Sequence, residues 1–257
     1  MTDKKWLYDY YKSQCTDAHR MYGGTGFREY KQIRRLDVIR RFVLTGLKRG
    51  GCLLDVGCGD GHAAKFLLKG QDVKYLGVDL SFSKLKKCCE SNGWVAVADV
   101  ETLPVVSSGV DFVICLETLE HLLNPIDALN EIGRVLKKNG GYVLSVPINS
   151  RLQPWFRKIR NIGRQRLPVF DEHIHVFTVK WLKKALERAG LTVLDIEYAA
   201  FHLPLFSGGY RMVDYDSFYK LDRLLSKIPL CFLGAGVHGG ISFGIGNEYI
   251  IVAGSKT

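Results

Sequence analysis

The sequence predicts an α/β fold in which a mostly parallel sheet is covered by helices on both faces. Short apolar runs alternate with helical patterns along most of the chain, as in repeated strand–helix units. The runs are continuously apolar, which is typical of strands buried on both faces. A glycine-rich turn joins the first run to the helix after it, and such turns form pockets at the carboxyl edge of a parallel sheet.

The composition is that of a folded chain with a large core. Of 257 residues, 47% are hydrophobic and 24% are charged, so we expect a single domain over residues 1–257. The formal net charge of +10 favours an anionic partner such as nucleic acid, a phosphorylated substrate or a membrane surface. The charge alone does not choose among these partners.

The seven cysteines are scattered and include no C-x-x-C pair. This spacing argues against a zinc site and a disulfide framework, so no metal is expected and most cysteines are predicted to be small buried side chains. The N-terminus lacks the apolar stretch of a signal peptide, and no run of about 18 apolar residues exists. The expected location is a reducing one, the cytoplasm.

Residues 1–50 are predicted to form a helical segment that precedes the sheet. Apolar residues recur at helical spacing with arginine and lysine between them, which indicates a basic amphipathic helix that stops near Gly50 and Gly51. The apolar positions of this helix are Ile33, Leu36, Ile39, Val43 and Leu47.

Residues 51–150 contain most of the predicted strand–helix units. Ser81 or Ser83 is expected to cap one helix, and Asn124 followed by Pro125 is a helix start signal. The predicted strands are 52–57, 73–80, 94–100, 110–117, 142–149, 191–199 and 247–256, and the predicted helices are 62–70, 81–92, 126–141 and 178–190.

Two segments interrupt this rhythm and are predicted to be lid or partner-binding insertions. Residues 150–174 are basic and aromatic, and residues 200–245 carry a short helical pattern followed by a glycine-rich apolar stretch. Three interpretations of the basic segment compete with the alternative of a solvated face that has no specific partner: a cationic lid over an anionic small substrate, peripheral contact with an anionic membrane, and an RNA surface. No separate RNA-binding module is visible, which argues against nucleic acid, and the apolar stretch suits a lipid-linked acceptor.

The first glycine-rich turn lies in "LLDVGCGDGH", residues 53–62. Asp55 precedes the turn on the strand, and Asp79 ends the next strand, where a carboxylate can accept hydrogen bonds from both hydroxyls of a ribose. The turn reads G-x-G-x-G and not the G-x-G-x-x-G of dinucleotide-binding proteins. Because a carboxylate beside the turn repels a pyrophosphate, Asp55 suits a ligand with a cationic end. An ammonium group together with a ribose describes S-adenosylmethionine.

The order of these motifs resembles the class I S-adenosylmethionine-dependent methyltransferases, in the subgroup that includes ubiquinone-biosynthesis enzymes and other small-molecule methyltransferases. "LLDVGCGDG" and "YLGVDLS" resemble the first two motifs of that family, and "VADVETLPVVSSGVDFVICLETLEHLLNP" resembles the adenine-side and post-strand motifs. "ALNEIGRVLKKNGGYVLSVP" and "HVFTVKWLKKALERAGLTVLDIEY" extend the likeness. The resemblance implies a Rossmann-like, seven-stranded sheet and S-adenosylmethionine as cofactor.

The resemblance also implies roles for individual residues around the cofactor. Each has an ordinary alternative: Asp55 as a turn cap, Asp79 as a helix N-cap, Asp99 as a turn residue and Cys58 as a small loop filler. The implied contacts are Asp55, Gly57, Cys58, Gly59 and Gly61 around the methionine part, Asp79 on the ribose, Leu80, Asp99 and Val100 on the adenine, Leu116 and Glu117 near the sulfonium, and Arg35 on the methionine carboxylate.

Methyl transfer to an alcohol or phenol is helped by a base. The candidates are His121, Glu117, His173 and His175, against the alternatives that His121 packs on the following helix and that the other two histidines lie at the surface. The fourth strand ends in "CLET" and not in the [DN]-P-P-[YFW] of many exocyclic-amine methyltransferases. The fifth ends without the acid that a metal-dependent catechol type requires.

The leading hypothesis is therefore an S-adenosylmethionine-dependent methyltransferase that acts on a small-molecule, lipid-linked or glycan-linked acceptor, with oxygen as the favoured accepting atom. The second is a catalytically inactive S-adenosylmethionine-binding partner or regulatory protein, and the third is an RNA methyltransferase. No obligate protein partner is evident from the sequence.

Overall fold

The computed structural model describes residues 26–88, 93–147, 175, 177–199, 231–238, 241–246 and 249–257. The basic segment 150–174 and the helical pattern within 200–230 lie outside the described residues. The described parts fall into two compact units, one of which carries the main sheet and the other a separate two-stranded sheet. Within the described ranges, every helix is too short or too polar to cross a membrane.

The described residues contain nine strands and five α-helices. The strands are β1 Cys52–Val56, β2 Lys74–Asp79, β3 Trp94–Val97, β4 Val110–Leu116, β5 Leu136–Pro147, β6 Leu191–Ala199, β7 Cys231–His238, β8 Ile241–Gly246 and β9 Tyr249–Lys256. The helices are α1 Gly26–Gly46, α2 His62–Leu67, α3 Phe82–Cys88, α4 Pro125–Val135 and α5 Val179–Arg188, with a 3₁₀ turn at Leu119–His121.

Seven of the strands form one sheet in the order β3-β2-β1-β4-β5-β9-β6. β1 pairs in parallel with β2 and β4, and the same direction continues to β3 on one side and to β5 on the other. β9 runs antiparallel to β5. The predicted seven-stranded, mostly parallel, Rossmann-like sheet is confirmed.

The central strands are buried on both faces of the sheet. Leu53 and Leu54 are neighbours on β1 and therefore point to opposite faces, yet both are 0% exposed. Val113 and Ile114 on β4 are likewise 0% exposed. The continuous apolar runs in the sequence thus arise because helices cover the sheet from both sides.

The boundary between α4 and β5 differs from the sequence prediction. The predicted helix 126–141 ends at Val135, because Leu136 already pairs with Val110 as the first residue of β5. Asn139 then adopts a left-handed conformation with φ of 61°, which a helix does not accommodate. The lysines near this boundary looked like the basic end of a helix, but they stand in the strand segment.

β7 and β8 form an antiparallel hairpin within the glycine-rich apolar stretch. The sequence predicted no strands in this stretch, since its glycines are unfavourable in strand interiors. The hairpin forms a sheet of its own, separate from the seven-stranded one.

The N-terminal helix α1 is more deeply buried than its amphipathic pattern predicts. Arg34 is 0% exposed, and its Nη1 lies 3.6 Å from Asp37 Oδ2. Charged residues that the amphipathic pattern places on a solvated face are therefore buried. Arg35 is also buried, and its Nη2 donates to Gln32 Oε1 at 2.6 Å. The helix ends at Gly46, a turn before the predicted stop at Gly50.

Thr178 caps α5, because its Oγ1 accepts a hydrogen bond from Trp181 N at 3.2 Å. Thr178→Ala is expected to lower the free energy of unfolding by about 1 kcal/mol, the usual value for the loss of an N-cap. Thr45→Ala is the matched control: the Thr45 hydroxyl donates to Arg41 O inside the exposed end of α1, so its loss is expected to cost less than about 0.5 kcal/mol. Urea unfolding monitored by circular dichroism measures both values, and equal losses would contradict the capping role.

Candidate active site

The glycine-rich loop after β1 turns the chain through three left-handed residues. Gly57, Gly59 and Gly61 have φ values of 75°, 55° and 72°. The loop is anchored to the neighbouring strand, because Gly57 N and Cys58 N both donate to Val78 O, at 2.8 and 3.0 Å. The alternating glycines therefore permit a backbone path that residues with side chains rarely adopt.

The three glycines differ in what surrounds them. A Cβ at Gly57 would collide with the Thr118 side chain, and one at Gly61 would collide with Cys88 Sγ. A Cβ at Gly59 would meet only one side-chain atom within 4 Å, at 3.9 Å. Gly57 and Gly61 are therefore required for packing within the protein, whereas Gly59 exposes its backbone to open space, as a loop that receives a ligand must.

Asp55 is buried on β1, with 2% of its surface exposed. Its Oδ2 accepts a hydrogen bond from the Tyr75 hydroxyl at 3.1 Å. Burial raises the pKa of Asp55 from 3.8 to about 7, the Tyr75 hydrogen bond opposes this rise, and the charge of Asp79 adds to it. The sequence identified Asp55 but not its partner, because Tyr75 lies on the adjacent strand and the contact exists only after strand pairing.

Cys58 is a buried residue of the loop, and its thiol pKa is raised, first by burial and then by the charge of Asp55. A thiol with a raised pKa is a poor nucleophile, in keeping with the expected small filler. Cys58 packs in a cluster with Leu85 and Cys88, against which Tyr75 and Val95 also pack.

Asp79, at the carboxyl end of β2, ties the loop to the start of α3. Its Oδ2 accepts from Gly59 N and its Oδ1 accepts from Ser81 N, both at 2.8 Å. Ser81 directly precedes the first residue of α3, and its Oγ accepts from Lys84 N at 3.4 Å, so the predicted cap at Ser81 is confirmed. Leu80, between them, is 64% exposed.

Two of the three residues predicted on the adenine side stand after β3. Asp99 is exposed, and its Oδ1 accepts from Glu101 N at 2.9 Å, while Thr102 N donates to Asp99 O at 3.1 Å. Asp99 is thus a turn residue whose carboxylate reaches solvent. Val100 is 4% exposed and belongs to the core.

Leu116 ends β4, and Glu117 follows it in a left-handed conformation with φ of 51°. Glu117 N donates to Ser145 O at 3.0 Å, and Ser145 Oγ donates to Glu117 Oε1 at 3.1 Å. A left-handed conformation at a residue other than glycine is uncommon and concentrates at functional sites. The sequence gave no indication of Ser145, whose hydroxyl meets Glu117 across two strands.

His121 and His175 both contact Glu120. His121 Nε2 is 3.9 Å from Glu120 Oε1, and His175 N donates to Glu120 O at 3.1 Å. His175 Nε2 lies 3.3 Å from Leu123 O, where it donates when that nitrogen carries the proton. The structure therefore brings these two predicted histidines to one short turn. His173 lies outside the described residues, and Arg35 belongs to the other compact unit.

A cleft of about 460 Å³ lies beside His175 and the start of α4. Leu123 and Ile126 are exposed apolar residues at its side, with 76% and 44% of their surface exposed. The sequence did not predict this cleft, because an apolar residue on a helix or turn gives no sign that it stays exposed. The cleft is lined by Leu123, Asn124, Pro125, Ile126, Asp127, His175, Phe177 and Trp181.

Comparison with known proteins agrees with this fold. An uncharacterized protein of Methanocaldococcus jannaschii is 27% identical over 209 residues, 75% of this chain and 78% of that one. The 27-O-demethylrifamycin SV methyltransferase of Amycolatopsis mediterranei is 28% identical over 130 residues, so the match spans 46% of this chain and only 48% of that enzyme. The structure of geranyl diphosphate C-methyltransferase from Streptomyces coelicolor, in complex with S-adenosyl-L-homocysteine, has a TM-score of 0.55 at 16% identity, over 86% of this chain and 80% of that one.

The strand order and the glycine loop after β1 define a Rossmann-like fold of the class I methyltransferase type. Residues 27–196 match a family model described as a methyltransferase domain, which is more than half of the chain. The chain belongs to this family and is an S-adenosylmethionine-dependent methyltransferase.

Proposed function

We propose that this methyltransferase transfers the methyl group of S-adenosylmethionine to an oxygen atom of a small-molecule acceptor. The observation that supports S-adenosylmethionine as the methyl donor is the carboxyl edge of three neighbouring strands, β2, β1 and β4. Asp79 ends β2, Asp55 stands next to last in β1, and Glu117 follows β4, while the backbone at Gly59 faces open space between them. This edge combines negative charge with bare backbone, as a cationic nucleoside requires.

The residues present fit S-adenosylmethionine. Asp79 has a preformed carboxylate for the ribose hydroxyls, and Gly59 leaves room for the methionine part to approach the backbone. Asp55 matches the ammonium group by charge, and the exposed Leu80 offers an apolar surface to the adenine. The bound cofactor supplies an already activated methyl group, so the main task of the protein is to align the acceptor.

The acceptor side of the proposal rests on the cleft that His175 lines. A volume of about 460 Å³ with aromatic and aliphatic lining is the size of a site for a small molecule. His175, which lines the cleft, is the proposed base for an acceptor hydroxyl, and His121 is the second candidate. Oxygen is the favoured acceptor, since the rifamycin relative is named for an O-demethyl substrate. A lipid- or glycan-linked acceptor and contact of segment 150–174 with anionic membrane remain predictions.

An assay with S-adenosylmethionine labelled in its methyl group, incubated with purified enzyme and cell extract, tests the acceptor class. Label is expected in an organic-extractable or small-molecule fraction, and mass spectrometry and nuclear magnetic resonance of the isolated product are expected to show the transferred methyl group bonded to oxygen. Label in a ribonuclease-sensitive fraction would reject a small-molecule acceptor. Calorimetric binding of the cofactor without any label transfer would support the alternative, an inactive binding protein.

Two glycine variants separate ligand contact from folding within the loop. Gly59→Ala is expected to fold with a loss of about 1 kcal/mol from its left-handed backbone, but to bind S-adenosylmethionine at least about tenfold more weakly, because the methyl group occupies the open space. Gly61→Ala is expected to lose about 2–3 kcal/mol of stability, because its Cβ collides with Cys88 in addition to the backbone strain. Urea unfolding and calorimetry measure the two effects, and wild-type cofactor affinity in Gly59→Ala would contradict the proposed approach of the ligand.

A further inference from the structure

Ser145 is a fully buried residue of β5 whose hydroxyl forms a hydrogen bond with a carboxylate. Its side chain is 0% exposed, and its Oγ donates to Glu117 Oε1 at 3.1 Å. The backbone of the same residue accepts from Glu117 N at 3.0 Å. Glu117 is thus held at two points by one partner, which defines both its backbone position and the direction of its side chain.

The Glu117 backbone is unfavourable without such support. A left-handed conformation in a residue other than glycine costs about 1–2 kcal/mol, and it persists only where the surrounding structure enforces it. An extended residue at this position would continue β4 and carry the side chain elsewhere. The two hydrogen bonds to Ser145 are part of the structure that enforces this conformation.

The sheet register places Glu117 beside the glycine loop. Val56 of β1 pairs with Cys115 of β4. Cys58 of the loop and Glu117 each follow this pair by two residues, so they lie at the same level of the sheet edge. The next residue, Thr118, packs against Gly57, and its Oγ1 donates to Val56 O at 3.3 Å. Because β1 lies between β2 and β4, Glu117 and Asp79 flank the loop from opposite sides.

A negative charge near the cofactor sulfur distinguishes the cofactor from its product. S-adenosylmethionine carries a positive sulfonium, whereas S-adenosylhomocysteine has a neutral thioether. A carboxylate fixed near the sulfur attracts the first and not the second. We infer that Ser145 is a positioning residue that holds the Glu117 carboxylate toward the sulfonium, so that the enzyme binds S-adenosylmethionine in preference to S-adenosylhomocysteine. This inference rests on the proposed function, because it takes the cofactor to lie along the loop.

Calorimetry with S-adenosylmethionine and S-adenosylhomocysteine tests the inference without any acceptor. Glu117→Gln is expected to lower the ratio of the two affinities about tenfold, and Ser145→Ala to lower it about threefold, with affinity for S-adenosylhomocysteine changed less than about twofold. Ser145→Thr keeps the hydroxyl and is expected to keep the wild-type ratio. Asp72→Asn, an exposed acid at the opposite end of β2, controls for net charge and is expected to leave the ratio unchanged.

An unchanged ratio in Glu117→Gln or Ser145→Ala would overturn the inference. So would equal losses of affinity for both ligands in Ser145→Ala, because that pattern indicates a purely structural residue. If Ser145→Ala does not fold, Ser145→Cys takes its place, since it keeps the size and weakens the donor. Failure of the wild-type protein to bind either ligand would instead reject the proposed cofactor site, so the two failures are distinguishable.

Discussion

Asp79→Ala is expected to weaken S-adenosylmethionine binding at least about 100-fold, measured by isothermal titration calorimetry. The substitution removes the acceptor proposed for the ribose hydroxyls, where hydrogen bonds to a charged group are worth about 1.5–3 kcal/mol each. It also releases Gly59 N and Ser81 N, which the two carboxylate oxygens now hold at 2.8 Å. The variant therefore loses both a ligand contact and the anchor of the loop.

Asp72→Ala is the matched control for Asp79→Ala. Asp72 carries the same charge before the start of β2, and it pairs with Arg49 at 3.0 Å at the surface, with the two side chains 71% and 87% exposed. An exposed pair of this kind contributes little to stability. Cofactor affinity within about twofold of wild type is expected, and a loss similar to that of Asp79→Ala would show that net charge and not the ribose contact governs binding.

Asp55→Asn is expected to stabilise the cofactor-free protein at pH 8 while it weakens cofactor binding at least about 100-fold. Burial penalises the charged form of Asp55, which is why its pKa rises to about 7. Asparagine keeps the shape and still accepts the Tyr75 hydrogen bond, but it carries no charge to bury. The same loss of charge removes the proposed partner of the ligand ammonium, so stability and affinity should move in opposite directions.

The pH dependence gives an independent test of Asp55. The pKa of this residue is raised above its ordinary value of 3.8, so its contribution to stability is fully present below pH 3.8 and is lost as pH rises through about 7. Relative to Asp55→Asn, the cofactor-free wild type should therefore lose stability between about pH 4 and pH 7. Binding of a cation shows the opposite trend, with affinity falling as pH decreases below about 7.

Thermal unfolding and calorimetry at a series of pH values between 4 and 8 measure both trends. If the difference in stability between wild type and Asp55→Asn is independent of pH, the buried carboxylate does not titrate as its environment indicates. If Asp55→Asn binds the cofactor as wild type does, the proposed ammonium contact is wrong.

The strands and helices around the sheet could be predicted because each leaves a local pattern in the sequence. Strands buried on both faces leave continuous apolar runs such as "LLDV" and "DFVICL", and the helices between them carry their own start signals, as Asn124 and Pro125 show. The acids at the strand ends could also be predicted as site residues, since the carboxyl ends of parallel strands meet at one edge of the sheet.

The contacts that tune those acids could not be predicted, because they form between strands. Tyr75 reaches Asp55 only through the pairing of β1 with β2, and Ser145 reaches Glu117 only through the pairing of β4 with β5. The burial of Arg34 could not be predicted either, because the sequence shows a charged residue in a helix and tertiary packing decides whether it is buried. Local patterns therefore identified charges and left their partners unknown.

The two hydrogen bonds that Asp79 accepts have a kinetic consequence. Since they hold the loop in its turned form before any ligand arrives, binding does not require the loop to become ordered. Stopped-flow association with S-adenosylmethionine should then show a single phase whose rate increases linearly with ligand concentration, with no saturating step from a prior rearrangement. The cofactor would then bind to a loop that is already ordered, and any slow step in turnover would be acceptor binding or product release.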